Sequence, residues 1–171
     1  MLLPRGNLMS TTNTPLARVL VIDDDPDTRD VLGVFLAHLG YTPALAAGGR
    51  EGLELAVAER PDVVVLDVMM PDVNGLDVLA RLRTLQPSLP VIMTTASADP
   101  EVARTALRLG AFRYLRKPVD LDGLDRVIDE AVKAPRASSP PSSSLTHTEI
   151  VHLLSDSATR AERTPGRRPQ R

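Results

Sequence analysis

Residues 18–27 read RVLVIDDDPD and residues 62–67 read DVVVLD, two short apolar runs that each end in aspartate. Short runs of Val, Ile and Leu bounded by charge suit strands buried on both faces, as in a parallel sheet. If the two strands are neighbours, Asp23, Asp24, Asp25 and Asp67 collect at one end of that sheet. Carboxylates crowded in this way either bind a cation or shift their pKa values. The cluster is the first reason to expect phosphoryl chemistry.

Further runs of this kind alternate with segments of helical period as far as Lys133. Strands are expected at Arg18–Asp23, Thr42–Ala46, Val63–Asp67, Leu89–Thr94 and Phe112–Leu115. Helices are expected at Pro26–Leu39, Gly49–Glu59, Gly75–Leu85, Asp99–Leu109 and Leu121–Lys133. Such alternation builds βα units, so the fold class is α/β with a doubly wound, five-stranded parallel sheet. Local punctuation agrees. Asp25 before Pro26 and Asp99 before Pro100 read as helix caps followed by proline at the first helical position. Gly40 and Gly110 stand where helices end in a left-handed residue.

The chain has 171 residues, 43% of them hydrophobic, which is enough for one core. Phe35, Tyr41, Phe112 and Tyr114 are its only aromatic residues, so base stacking on nucleic acid is disfavoured as a main activity. The absence of cysteine excludes disulfides, thiolate catalysis and cysteine-bound zinc together. No apolar run approaches the roughly 18 residues of a membrane span. The first residues, broken by Pro4, Gly6 and Asn7, lack the apolar stretch of a signal peptide. A cytoplasmic protein is expected, with Met1 and Met9 both candidate starts.

Residues 1–17 read as a disordered extension, 18–134 as the folded domain and 135–171 as a Pro/Ser-rich linker and basic tail. A weak helical signal covers 146–162: Thr146 and Glu149 have capping-box spacing, and Ile150, Val151, Leu153 and Leu154 form an apolar stripe. Charge divides at the same boundary. The domain carries 13 Lys+Arg against 19 Asp+Glu, a net of 13 − 19 = −6, and the tail carries 6 against 3, a net of 6 − 3 = +3. DNA binding by the acidic domain itself is electrostatically disfavoured.

In a doubly wound sheet, ligands sit beyond the carboxyl ends of the strands, where the strand order reverses. Asp23, Asp24 and Asp67 end the first and third strands, Thr95 follows the fourth and Lys117 the fifth. These five share one rim. They supply hard oxygen ligands for Mg²⁺, a carboxylate nucleophile, a hydroxyl for a phosphoryl oxygen and an ammonium to neutralise its charge. Attack of a carboxylate on phosphorus gives an acyl phosphate. Asp25 reads instead as the cap of the first helix, and Asp72, after Pro71, as a solvated turn residue. His38 suits a solvated place near a helix end, and the tail residues His147 and His152 lack the helical bundle that a phosphotransfer histidine needs.

Four segments carry a family resemblance: VLVIDDDPDTR (19–29), PDVVVLDVMMPDVNGLDVL (61–79), PVIMTTASAD (90–99) and GAFRYLRKPVD (110–120). In order and approximate spacing they resemble the receiver domain of two-component response regulators, over about Arg18 to Lys133. The resemblance implies a (βα)5 flavodoxin-like receiver fold. It also implies that Asp67 is the phosphoacceptor and that Asp23, Asp24, Asp67 and the backbone carbonyl of Met69 hold Mg²⁺. Thr95 would bond the phosphoryl group, Lys117 would pair with it, and Tyr114 takes the position of a switch aromatic coupled to Thr95. The family's spacing to Lys117 selects Thr95 over Thr94, and the Lys117–Pro118 bond is expected to be cis.

By the same resemblance the phosphoryl donor is a histidine kinase or phosphotransfer protein, chosen by exposed residues of the first helix, Thr28, Arg29, Val31 and Leu32. Such a protein is a signalling phosphoacceptor that takes part only in its own phosphoryl transfer and hydrolysis. Met69 and Ser97 stand where chemotaxis-type receivers have a polar amide and an acid, beside the path of hydrolytic water. Slower loss of phosphate is expected than in that fast-cycling relative.

After the domain, 171 − 134 = 37 residues remain, short for a DNA-binding domain. A stand-alone receiver is expected, signalling to a downstream protein target by contact, with a phosphorylation-dependent dimer open to it and no membrane partner. The alternative is a truncated transcriptional regulator that binds DNA through the basic tail. Residues 144–154, SLTHTEIVHLL, resemble the first helix of a LuxR-type helix-turn-helix, but no recognition helix follows. A haloacid-dehalogenase-type phosphatase also uses an aspartyl nucleophile, yet wants a second aspartate where this chain has Met69.

Overall fold

A computed structural model describes residues 16–135. Residues 1–15, the linker and the tail with its expected helix at 146–162 lie outside the described residues. The elements are β1 (Arg18–Ile22), α1 (Pro26–His38), β2 (Thr42–Ala46), α2 (Gly49–Glu59) and β3 (Val63–Asp67), followed by α3 (Gly75–Leu85), β4 (Val91–Thr95), α4 (Pro100–Arg108), β5 (Arg113–Arg116) and α5 (Leu121–Lys133). All strands pair in parallel in the order β2-β1-β3-β4-β5. The chain leaves β1 for one side of the sheet to make β2, then crosses to the other side for β3, and that reversal opens the rim between β1 and β3.

Alternation along the strands fills two cores. Leu20, Ile22, Val64, Leu66, Val91 and Met93 face α2, α3 and α4. The intervening Val19, Val21, Val63, Val65 and Ile92 face α1 and α5. With both faces covered, every residue of β3 and β4 is buried, which is why those stretches read as unbroken apolar runs. The sheet edges are different. Edge strand β2 carries Pro43, and edge strand β5 exposes Arg113 and Arg116.

Asp25, Asn74, Asp99 and Asp120 cap α1, α3, α4 and α5 through side-chain bonds to the first turn, satisfying N–H groups that the helix leaves open. Gly40 and Gly110 both adopt φ +91°, a conformation that excludes ordinary side chains. Three differences from expectation have local causes. Pro90 has no N–H to give a ladder, so β4 begins at Val91 instead of Leu89. Pairing of Arg113–Arg116 with Ile92–Thr95 moves β5 one residue later. Ala17, expected in the disordered extension, is buried and accepts from the Thr42 N–H at 2.8 Å.

Candidate functional site

The ends of β1 and β3 bring Asp23, Asp24 and Asp67 together, with one oxygen from each lying within 4.8 Å of the others. Asp23 and Asp67 are only 2% and 4% exposed. Lys117, just past β5, reaches both: its Nζ donates to Asp23 Oδ2 at 2.8 Å and lies 3.3 Å from Asp67 Oδ2. Asp23 Oδ1 is taken by the Asp25 N–H at 3.0 Å. Among the described residues, the buried Asp67 Oδ1 has no hydrogen-bond partner. A buried oxygen left open beside two further carboxylates fits a hard divalent cation such as Mg²⁺.

Burial pushes the Asp67 carboxyl above its usual range. The Lys117 ammonium works against that rise, the Asp23 charge adds to it, and the Met69 backbone N–H favours the ionised form. For Lys117, burial alone would lower the pKa, but its bond to Asp23 and the charges of Asp67 and Asp23 outweigh burial and raise it. The ammonium is thus held charged against its acids. The resting site is a three-way electrostatic contact with one open oxygen.

Around this centre the loops are tightly built. The Gly75 N–H donates to the Val68 carbonyl at 2.9 Å, and a Cβ on Gly75 would lie 2.1 Å from the Asp67 carbonyl oxygen. Only glycine lets the start of α3 approach the Asp67 peptide so closely. Met69 turns its side chain out, 59% exposed, beside the rim. Asp72 lies in the same loop, but its carboxylate accepts from the N–H groups of Gly49 and Arg50 at 3.1 and 3.2 Å. Burial would raise its pKa, and those backbone donors lower it overall. The expected solvated turn residue therefore holds the start of α2 from across the loop.

Asp67 pairs with Thr94 across the sheet, which places Thr95 one residue beyond, on the rim. Alternation puts Thr95 in line with Val91 and Met93, on the α2–α4 side, whereas Thr94 follows Ile92. Tyr114 is paired with Met93 and packs against that same core, its hydroxyl buried and, among the described residues, without a hydrogen-bond partner. Thr95 and Tyr114 thus share one side of the sheet. The Lys117–Pro118 bond is cis.

Asp25 caps α1, bonding Thr28, whose hydroxyl holds the Asp25 carboxyl below the usual range. Two of the residues expected to meet a donor protein are placed differently. Leu32 is buried in the α1–α5 core. Arg29 is half-buried, and its guanidinium donates to the Asp23 carbonyl at 2.7 Å, clamping the turn that carries the acidic pair. Val31 remains exposed and Thr28 half-exposed. The Arg29 clamp was foreshadowed only by its position one helical turn after the cap.

A model of the response regulator receiver domain matches residues 19–129. The chain is 38% identical to the Regulatory protein AtoC of Escherichia coli strain K12 over 120 residues, covering 70% of this chain and 26% of that protein. It is 44% identical to the Response regulator MprA of Mycolicibacterium vanbaalenii over 107 residues, 63% of this chain and 46% of that protein. The chain thus spans about a quarter to a half of these relatives. Among solved structures, a CheY-like response regulator receiver domain protein from Methanospirillum hungatei superposes with a TM-score of 0.65 at 32% identity, covering 67% of this chain and 92% of that one. The Vibrio cholerae chemotaxis protein CheY4 superposes with a TM-score of 0.64 at 31% identity, covering 67% and 98%.

Proposed function

Because the chain belongs to the response regulator receiver family of two-component signalling, we propose that Asp67 is its phosphoacceptor, phosphorylated by a histidine kinase or a phosphotransfer protein. The supporting observation is Asp67 itself: a buried carboxylate at the rim, with one oxygen beside Lys117 and the other unpartnered. Asp67 attacks phosphorus in line. The O–P bond forms as the P–N bond to the donor imidazole breaks, and the departing nitrogen keeps the electron pair.

Lys117 neutralises charge on the transferred group, and the Thr95 hydroxyl donates to one of its oxygens. Asp23, Asp24, Asp67 and the Met69 carbonyl would hold Mg²⁺, whose charge offsets repulsion between the carboxylate and an anionic donor. As Thr95 moves, Tyr114 gains room to turn, and the face of α4, β5 and α5 shifts between two populations. Output passes by protein contact through that face, and the protein acts on no external substrate. Incubation with Mg²⁺ and a small phosphoryl donor is expected to give a labile adduct that Asp67→Asn lacks; equal labelling of the variant overturns the assignment.

A second reading is favoured by one observation: several relatives, among them GlrR of Escherichia coli, are transcriptional regulatory proteins much longer than the matched part. On that reading the basic tail contacts DNA. Sequence-specific binding at physiological salt supports it, and binding that ignores sequence counts against it.

A further inference from the structure

Between Thr95 and α4 three side-chain-to-backbone hydrogen bonds follow one another head to tail. The Ser97 N–H donates to Thr95 Oγ1 at 3.1 Å, the Asp99 N–H to Ser97 Oγ at 3.2 Å, and the Glu101 N–H to Asp99 Oδ1 at 2.9 Å. Each rung spans two residues, so the ladder runs unbroken from the rim into the first turn of α4. Among the described residues, neither the Ser97 N–H nor the Asp99 N–H has another acceptor. Packing adds little restraint here. Ala96, Ala98 and Asp99 are exposed, and α4 buries only Ala106.

We propose that Ser97 is the positioning residue that couples phosphorylation of Asp67 to α4, an inference that rests on the phosphoacceptor reading of Asp67. In the unphosphorylated chain, Thr95 Oγ1 is held as the acceptor of the first rung. When the Thr95 hydroxyl turns to donate to a phosphoryl oxygen on Asp67, that acceptor moves and Ser97 is released. The Ser97 hydroxyl takes the Asp99 N–H with it. Since Asp99 caps α4, the start of the helix follows. Position 97 is a clean place to cut the ladder. Alanine keeps the first rung, which uses the backbone, and removes the second; threonine keeps both.

Hydrogen exchange of the full chain, followed by mass spectrometry with Mg²⁺ and a small acyl-phosphate donor, tests this. Wild type, Ser97→Ala and Ser97→Thr are compared at matched phosphorylated fraction, read from intact mass. Phosphorylation is expected to change exchange of the α4 amides at 102–106 at least threefold in wild type. In Ser97→Ala the change should fall below a third of that size, and Ser97→Thr should recover it. A wild-type-sized change in Ser97→Ala, no change at α4 in wild type, or failure of threonine to rescue overturns the proposal. Absence of any phosphorylated mass in wild type is a separate result, which overturns the Asp67 assignment itself.

Discussion

Strands β3 and β5 flank the same neighbour, β4, yet they are built on opposite terms. All five residues of β3 are buried, and none of the four in β5 is. Their helices repeat the contrast: α3 buries Gly75, Val78, Leu79 and Leu82, whereas α4 buries Ala106 alone. Resistance to local opening follows buried apolar contact, so the two halves of the domain differ in stiffness. Asp67 stands at the end of the stiff half, where a group can be held in place to fractions of an ångström. Tyr114 and α4 occupy the compliant half, where a modest change in interaction can shift a population.

Truncations of leucines in the two helices test that contrast most directly. Leu79→Ala, on the buried face of α3, should cost about 3 kcal/mol in urea unfolding. A loss below about 1 kcal/mol would mean that the β3 half is not the rigid one. Next in size, Gly75→Ala forces a Cβ against the Asp67 peptide and should cost about 2 kcal/mol, with slower phosphorylation of Asp67. Unchanged stability and labelling would show that the approach of α3 to Asp67 is dispensable.

Tyr41 decides to which half α5 belongs. Its hydroxyl donates to Asp125 Oδ1 at 3.0 Å, tying α5 to the junction of α1 and β2. Tyr41→Phe should cost about 1 kcal/mol. Burial and the bond to Asp125 raise the Tyr41 pKa to about 12. An unfolded tyrosine titrates near 10, so the folded chain keeps the proton longer. This contribution is complete below pH 10 and is lost as pH rises toward 12. Denaturation midpoints should fall over that window in wild type, and less in Tyr41→Phe; identical profiles would release α5 from the stiff half. Smallest of all, Leu107→Ala in α4, at a residue 53% exposed, should change stability by less than about 0.5 kcal/mol. A loss comparable to Leu79→Ala would abolish the distinction between the halves.

The sequence pattern made the stiff half easier to read than the compliant one. β3, α3, β2, α2 and α5 occupy their expected bounds, because each is delimited by its own apolar period and by Gly, Pro or Asp at its ends. β1, α1 and α4 each end one residue sooner than expected, and the limits of β4 and β5 moved because there the ladder with the neighbouring strand decides where a strand runs. At the site, the convergence of Asp23, Asp24 and Asp67 with Lys117 followed from strand ends alone. Leu32 and Arg29 were misjudged, and the bonds that Asp72 makes from its exposed turn went unread, for one physical reason. What each touches lies on another turn or element, and local pattern does not encode the distance across a loop or which face of a helix turns inward.

Among the described residues, the five-stranded sheet does not close and leaves two unpaired borders, both of them guarded. Pro43 interrupts the row of donors along β2, while β5 exposes Arg116 and an Arg113 paired with Glu130 at 3.1 Å, two long charged side chains along that border. A second copy that tried to extend the sheet would meet a missing N–H on one border and charged side chains on the other. Both borders therefore disfavour strand-to-strand addition of a second copy.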